Sequence, residues 1–160
     1  MGTIMLGLAG QELPSGDPYA LGGIPRAVMK HLVVVTAGNG TLPSRWPADT
    51  PPEITETLIE DAAAALLAAY PFMAEPWRLI PSDGDPKRAR RLFVHSLMGI
   101  EARAITFAML LLQREGILAL PVHDELLVRA DAAEAGRAML TRGYRTVAKI
   151  EPLIKETRRG

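Results

Sequence analysis

The stretch LALPVHDELLVRA, residues 118–130, sets His123, Asp124 and Glu125 between two apolar runs. Carboxylates on a tip held by two strands project with little conformational freedom. Hard cations such as Mg²⁺ prefer oxygen ligands and usually take one or two protein carboxylates, with phosphate oxygens and water completing the shell. Asp124 is therefore the candidate metal ligand, with Glu125 beside it. His123 offers ring nitrogens that could position Asp124 or contact a phosphate. An aspartate in a turn also commonly bonds its own backbone, so the triplet gains its meaning from what flanks it.

A second group of candidates is basic. Lys87, Arg88, Arg90 and Arg91 crowd the start of a long helical pattern, where the helix dipole disfavours positive charge. Phosphate binding on DNA would give that cost a use; a solvated face offset by Asp83 and Asp85 is the plainer reading. Glu101 and Arg103 lie in the middle of the same pattern, and Glu101 is placed to join a polar network near the hairpin. His31, His95 and His123 are far apart and cysteine is absent. The lack of cysteine excludes disulfides and thiolate metal sites, and the scattered histidines argue against a His-rich zinc site. A His-Asp phosphohydrolase is set aside because His31 and His95 lack acidic or histidine neighbours.

The elements that must position these residues follow from periodicity and punctuation. Asp17 and Pro18 read as a helix N-cap and first helical residue. Pro25 to about Val35 reads as a helix, stopped by Gly38 and Gly40. Residues 41–52 are a Pro-rich connection. Thr50, Pro51 and Glu53 form a capping box for a helix carrying Ile54, Leu58, Ala62, Leu66 and Ala69 on one face until Pro71. Asp85-Pro86 opens the longest helix, to about Glu115, with Phe93, Leu97, Ile100, Ala104, Phe107 and Leu111 as its stripe and Gly116 closing it. Ile117–Val122 and Glu125–Arg129 are β-prone runs joined by His123-Asp124 as a two-residue loop. Asp131 and Glu134 suggest a capping box for a helix to Arg145. AKIEPLIKE, residues 148–156, reads as a final strand, at an edge because of Pro152.

The expected class is α+β: a small antiparallel sheet with a motif-bearing β-hairpin packed on several helices. The 160 residues, 48% hydrophobic and 22% charged, suffice for a buried core. A net charge of zero means that nucleic acid would be attracted by local patches and not by the whole-molecule field. The start MGTIMLGLAG lacks the basic region and long apolar stretch of a secretory leader, and the apolar runs read as too short or too interrupted to cross a membrane. A cytoplasmic chain with no membrane partner is the expectation.

Read as a unit, LQREGILALPVHDELLV resembles the hairpin that carries the second catalytic aspartate of family A DNA polymerases, in which His-Asp-Glu ends the first strand. RRLFVHSLMGIEARAITFAMLLLQREG resembles the long palm helix leading into it, with Gly99 in the place of that helix's glycine. Asp131 to Arg145 and IEPLIKE resemble the closing helix and strand of the palm. GDPYA followed by PRAVMKH resembles the fingers, where an Arg-x-x-x-Lys helix meets the incoming nucleotide. The GIEARAI segment and the spacing resemble compact polymerase-like proteins of bacterial prophages.

The resemblance implies a partial palm with a fingers helix: residues 1–50 fingers-like, residues 51–160 palm-like as one compact unit. It implies Mg²⁺-dependent, DNA-templated nucleotidyl transfer. Asp124 would bind the metal, with Glu125 and His123 in the catalytic centre. Arg26 and Lys30 would meet the triphosphate of a dNTP, and Lys87, Arg88 and Arg91 the primer-template DNA. Several positions depart from the pattern. Val34 and Gly38 stand where the fingers helix carries an aromatic residue and a tyrosine, and Val94 and Met98 where the palm helix carries Asn and Gln. If Leu8-Ala9-Gly10 matches the segment after the first catalytic aspartate, that aspartate would fall before Met1; Glu12 and Asp17, the nearest acids, lie in turn-like sequence. The expectation is a fragment that transfers nucleotides only when complemented, for example by a polymerase portion encoded upstream. The alternative is an inactive prophage remnant or a shortened gene model with at most weak DNA binding.

Overall fold

A computed structural model describes residues 2–12, 14–82 and 84–157. The chain has an α+β fold with a two-stranded antiparallel sheet packed against helices. It divides into two compact units, Met1–Glu12 with Leu97–Gly160, and Leu13–Ser96. The longest helix contributes residues to both.

The unit of residues 13–96 begins with a turn where a helix start was expected. Asp17 does cap, but only locally: its Oδ1 accepts the Tyr19 N–H at 3.0 Å. The Gly22-Gly23 pair, both with positive φ, ends the segment before a helix can form. Helix α2 runs Arg26–Asn39, four residues past the expected end at Val35, because Gly40 at φ 67 supplies the left-handed stop. Gly40 also permits close packing. A Cβ there would lie 2.6 Å from the Arg90 carbonyl oxygen.

The single helix expected after residue 50 is two. Helix α3 spans Pro52–Thr55 and helix α4 Ile59–Ala69. At the break, Trp46 Nε1 donates to the Thr57 carbonyl at 3.0 Å and takes an acceptor that a continuous helix would use. Thr50 is not the cap. Its hydroxyl lies 3.2 Å from His31 Nε2, and Pro51 occupies the cap position without a side-chain bond. Helix α2 packs on α3 and α4. Two 3-10 turns follow, Pro71–Ala74 and Pro76–Leu79. Met29, Leu32, Thr36, Ala62, Leu66, Met73 and Phe93 are among the buried residues of this unit's core.

Helix α5 spans Pro86–Arg114. Asp85 starts it, accepting the Lys87 N–H through Oδ1 at 2.9 Å; Asp83, the other acid expected to offset the basic turns, lies outside the described residues. Against the expectation that no apolar run could cross a membrane, α5 is long and apolar enough by length and composition, a test that core helices of soluble proteins also meet. Its buried line runs Leu97, Ile100, Ala104, Ala108 and Leu112, with Ile105 beside it, while Phe107 and Leu111 are half-buried. The expected stripe therefore turns by about one position over its last two turns.

In the unit of residues 1–12 and 97–160, residues Gly2–Leu8 form helix α1. Ile4, Met5 and Leu6 are buried. Helix α5 ends as its sequence predicts. Gly116 adopts φ 73, Ile117 N–H reaches the Leu112 carbonyl at 2.9 Å and Gly116 N–H the Gln113 carbonyl at 3.0 Å, the paired bonds of a Schellman stop. Strands β1 (Ala119–Val122) and β2 (Glu125–Val128) then pair antiparallel, with Val122 opposite Glu125 and Pro121 opposite Leu126. A 3-10 turn at Ala130–Ala132 precedes helix α6, Ala133–Val147, which packs on β2.

Two expectations fail here. Asp131 does not cap α6; its carboxylate is taken by Arg129 at 2.7 Å, and the helix starts at Ala132 without a side-chain cap. Residues 148–156 form no strand. The segment is tied by side chains instead, Arg145 Nη2 to Glu151 Oε1 at 2.9 Å and Arg137 Nη1 to the Ile154 carbonyl at 3.4 Å. Pro152 denies this segment a ladder donor.

Candidate functional site

The hairpin tip is where the sequence placed it. His123 and Asp124 are the two loop residues, and His123, Asp124 and Glu125 are all exposed. Only His123 of the two has positive φ, 54°, the sign pattern of a type II′ turn, whose first central position normally holds glycine. A β-carbon in the left-handed region costs energy, so the loop is held by the strands and not by its own turn propensity.

Below the tip lies a groove of about 890 Å³ formed within this unit. Asp124, Glu125, Arg129, Arg137, Glu101 of α5 and Tyr144 of α6 are among the residues that line it. Tyr144 is 9% exposed. Its hydroxyl is pushed up to about 12, first by burial and then by the negative charges of Glu101 and Asp124. The phenol is thus a neutral hydrogen-bond donor at any physiological pH, placed in the field of two carboxylates.

The expected nucleotide-binding pair sits in the other unit, one turn apart on α2. Arg26 is engaged: its Nε donates to Asp17 Oδ2, and its guanidinium carbon lies 5.4 Å from the Tyr19 ring centroid. Asp17 is held below its ordinary value, first by the Tyr19 backbone N–H and also by Arg26. Lys30 is exposed. A triphosphate would have to displace Asp17 to use Arg26 but could reach Lys30 directly.

Lys87, Arg88 and Arg91 are exposed on the first turns of α5. Sequence reasoning passed over their neighbour Trp77, which lies beside Arg78 and Arg90, and also passed over Tyr144. The available signals were the rarity of tryptophan, two in the chain, and the Leu140–Tyr144 spacing that puts both on one face of α6.

Mg²⁺ can be tested against the donor set. Asp124 with Glu125 offers the carboxylate oxygens that a single hard cation takes beside water and phosphate. Two-metal phosphoryl transfer needs carboxylates on both sides of the ions, and among the described residues no three His, Cys, Asp or Glu side chains gather to hold a metal. These residues do not complete a two-metal centre. No family model, curated protein or solved structure matches the chain.

Proposed function

We propose that this chain is a family A polymerase-like DNA-binding protein whose Asp124 is one half of a divided metal centre, and that nucleotidyl transfer requires a second aspartate from another polypeptide. The observation that carries this reading is the hairpin itself: a two-residue His-Asp loop, strained at His123, lifts Asp124 over a groove at the end of a long helix. Strain maintained at a functional tip is a recurrent use of backbone energy. In this reading residues 1–50 are fingers-like and residues 51–160 palm-like. Lys30, joined by Arg26 once it exchanges Asp17 for phosphate, neutralises an incoming triphosphate. Lys87, Arg88 and Arg91 hold primer-template phosphates. Mg²⁺, when bound, supplies charge neutralisation at the transferring phosphate. Because the donor set here is incomplete, no catalytic step is assigned to this chain alone.

Primer extension tests the proposal, with the purified protein alone and with the product of the reading frame upstream. The expected result is no incorporation alone, incorporation with the partner, and its loss in Asp124→Asn. No incorporation in either arrangement rejects the catalytic role. The incomplete donor set favours a second reading, a non-catalytic polymerase remnant. Its signature is weak, salt-dependent binding to primer-template DNA that needs no Mg²⁺.

A further inference from the structure

Trp77, in the 3-10 turn Pro76–Leu79, anchors a cluster that the polymerase reading leaves unused. The guanidinium carbons of Arg78 and Arg90 lie 5.1 Å and 5.8 Å from its ring centroid. Glu75 holds both cations, with Oε2 2.8 Å from Arg78 Nε and Oε1 3.8 Å from Arg90 Nη2. Two donors of this cluster are enclosed without an acceptor among the described residues: Trp77 Nε1–H and Arg90 Nε–H. Native proteins rarely leave such donors unpaired without a reason.

Beside the cluster opens a pocket of about 310 Å³. Trp77, Ile80, Pro81 and Leu92 give it apolar walls, and Ser82, Ser96 and Arg88 add polar groups. The Ser96 hydroxyl donates to the Leu92 carbonyl at 3.0 Å, which leaves its oxygen lone pairs as acceptors. Lys87 and Arg91 are exposed on the same stretch of α5 as Arg88.

We propose that this pocket receives one base of a single-stranded nucleic acid, with the flanking phosphates engaged by Lys87, Arg88 and Arg91. Three features fit that ligand together. A volume of this size is at the small end of ligand pockets and suits one planar ring, not a duplex or a helix. Apolar walls with an aromatic ring and nearby guanidinium planes are the surfaces on which unstacked bases rest, and the mixed donors and acceptors match the edge of a base. Lys87, Arg88 and Arg91 on the adjoining turns of α5 place cations where a polyanion's phosphates would lie, although the whole chain is neutral. An acidic peptide or an anionic bilayer would satisfy the cations but would leave the aromatic wall without a planar partner. This inference takes over the basic face from the polymerase reading but none of its metal chemistry.

The test is binding of short oligothymidylate in chelator, without nucleotide or divalent ion, so that a negative primer-extension result leaves it standing. With Trp46→Phe, Trp77 is the sole indole, and stacking is read as saturable quenching of its emission. If that variant does not fold, the anisotropy of a labelled strand on the unaltered chain reads the same event. Binding is expected to fall at least tenfold in Trp77→Leu and to persist in Trp77→Phe. In Arg88→Ala with Arg91→Ala the slope of log affinity against log salt should shrink by about 1.4, the share of two phosphate contacts on a single strand. No binding overturns the proposal. So does equal affinity for a duplex of the same length, or equal competition by polyglutamate or anionic lipid vesicles.

Discussion

Gly143 on α6 lies so close to Ala104 on α5 that a Cβ built on it would stand 2.4 Å from the Ala104 carbonyl oxygen. The obstacle is backbone and cannot swing aside, so the missing side chain sets how closely the two helices approach. Overpacking of this kind commonly costs about 1–3 kcal/mol. Gly143→Ala is expected to lower the urea midpoint by at least that equivalent, with the slope of the transition unchanged. An unaltered midpoint would show that the helices part at no cost.

Gly99 is the opposite case. It sits within α5 with nothing inside 4 Å of a built Cβ, so Gly99→Ala should stabilise the chain by about 0.5–1 kcal/mol through helix propensity. If the proposed DNA binding needs a bare backbone at this position, the same variant binds primer-template DNA more weakly while melting at a higher temperature. Equal binding would make Gly99 a structural leftover.

His123 carries the strain of the hairpin loop. Left-handed backbone costs a residue with a side chain about 1–2 kcal/mol, part of which is lost again to the flexibility of glycine. His123→Gly is expected to raise stability by about 1 kcal/mol in chemical denaturation. Under the proposed function, it would also reduce partner-dependent incorporation. A loss of stability would mean that the ring makes contacts worth more than the strain.

Asp17 reports on Arg26. Its folded pKa is below the ordinary 3.8. The stability it contributes is therefore complete above that value and is lost as pH falls through the lowered one. Carbon-detected NMR should show Asp17 titrating below 3.8, and still below it in Arg26→Ala, because the Tyr19 N–H is the larger cause. Saturating dNTP should raise the midpoint if Arg26 leaves Asp17 for phosphate; an unmoved midpoint removes Arg26 from the nucleotide site.

Tyr144 gives the alkaline counterpart. Its folded pKa of about 12 exceeds the ordinary 10, so the stability from its neutral form is present below pH 10 and is lost as pH rises from 10 towards 12. Absorbance at 295 nm should show Tyr144 titrating late, towards 12, with Tyr19 and Tyr70 also raised above 10 by burial. Asp124→Asn should lower its midpoint only slightly, since burial, not the carboxylates, is the main cause.

Punctuated elements were legible from sequence. Asp85-Pro86 and Gly116 bracket α5 because both ends use local chemistry, a side-chain cap and a left-handed stop. The hairpin was legible because its loop lies between two apolar runs. Expectations failed where other side chains claimed the groups that capping rules had assigned: Thr50 went to His31 and the Thr57 carbonyl to Trp46, both distant in sequence, and Asp131 to Arg129, two residues away. The expected last strand failed because alternation cannot supply a neighbour to pair with, and Arg145 and Arg137 tether that segment by side chains instead. At the site, Asp124 could be found from its triplet. Tyr144 and Glu101 meet it only through folding, from helices separated in sequence.

The register of the hairpin has a consequence for solubility. With a two-residue loop, the Val122–Glu125 pair exchanges hydrogen bonds and the next pair, Pro121 with Leu126, does not. The backbone nitrogen at position 121 therefore faces outward, and it is the one nitrogen with no hydrogen to offer. Leu118 and Leu120, 74% and 54% exposed, stand close by in sequence and would otherwise make this rim a nucleus for cross-chain zippering. Proline takes one outward donor from this margin and so weakens it as a template, beside the greasy ribbon that lifts an acid into solvent.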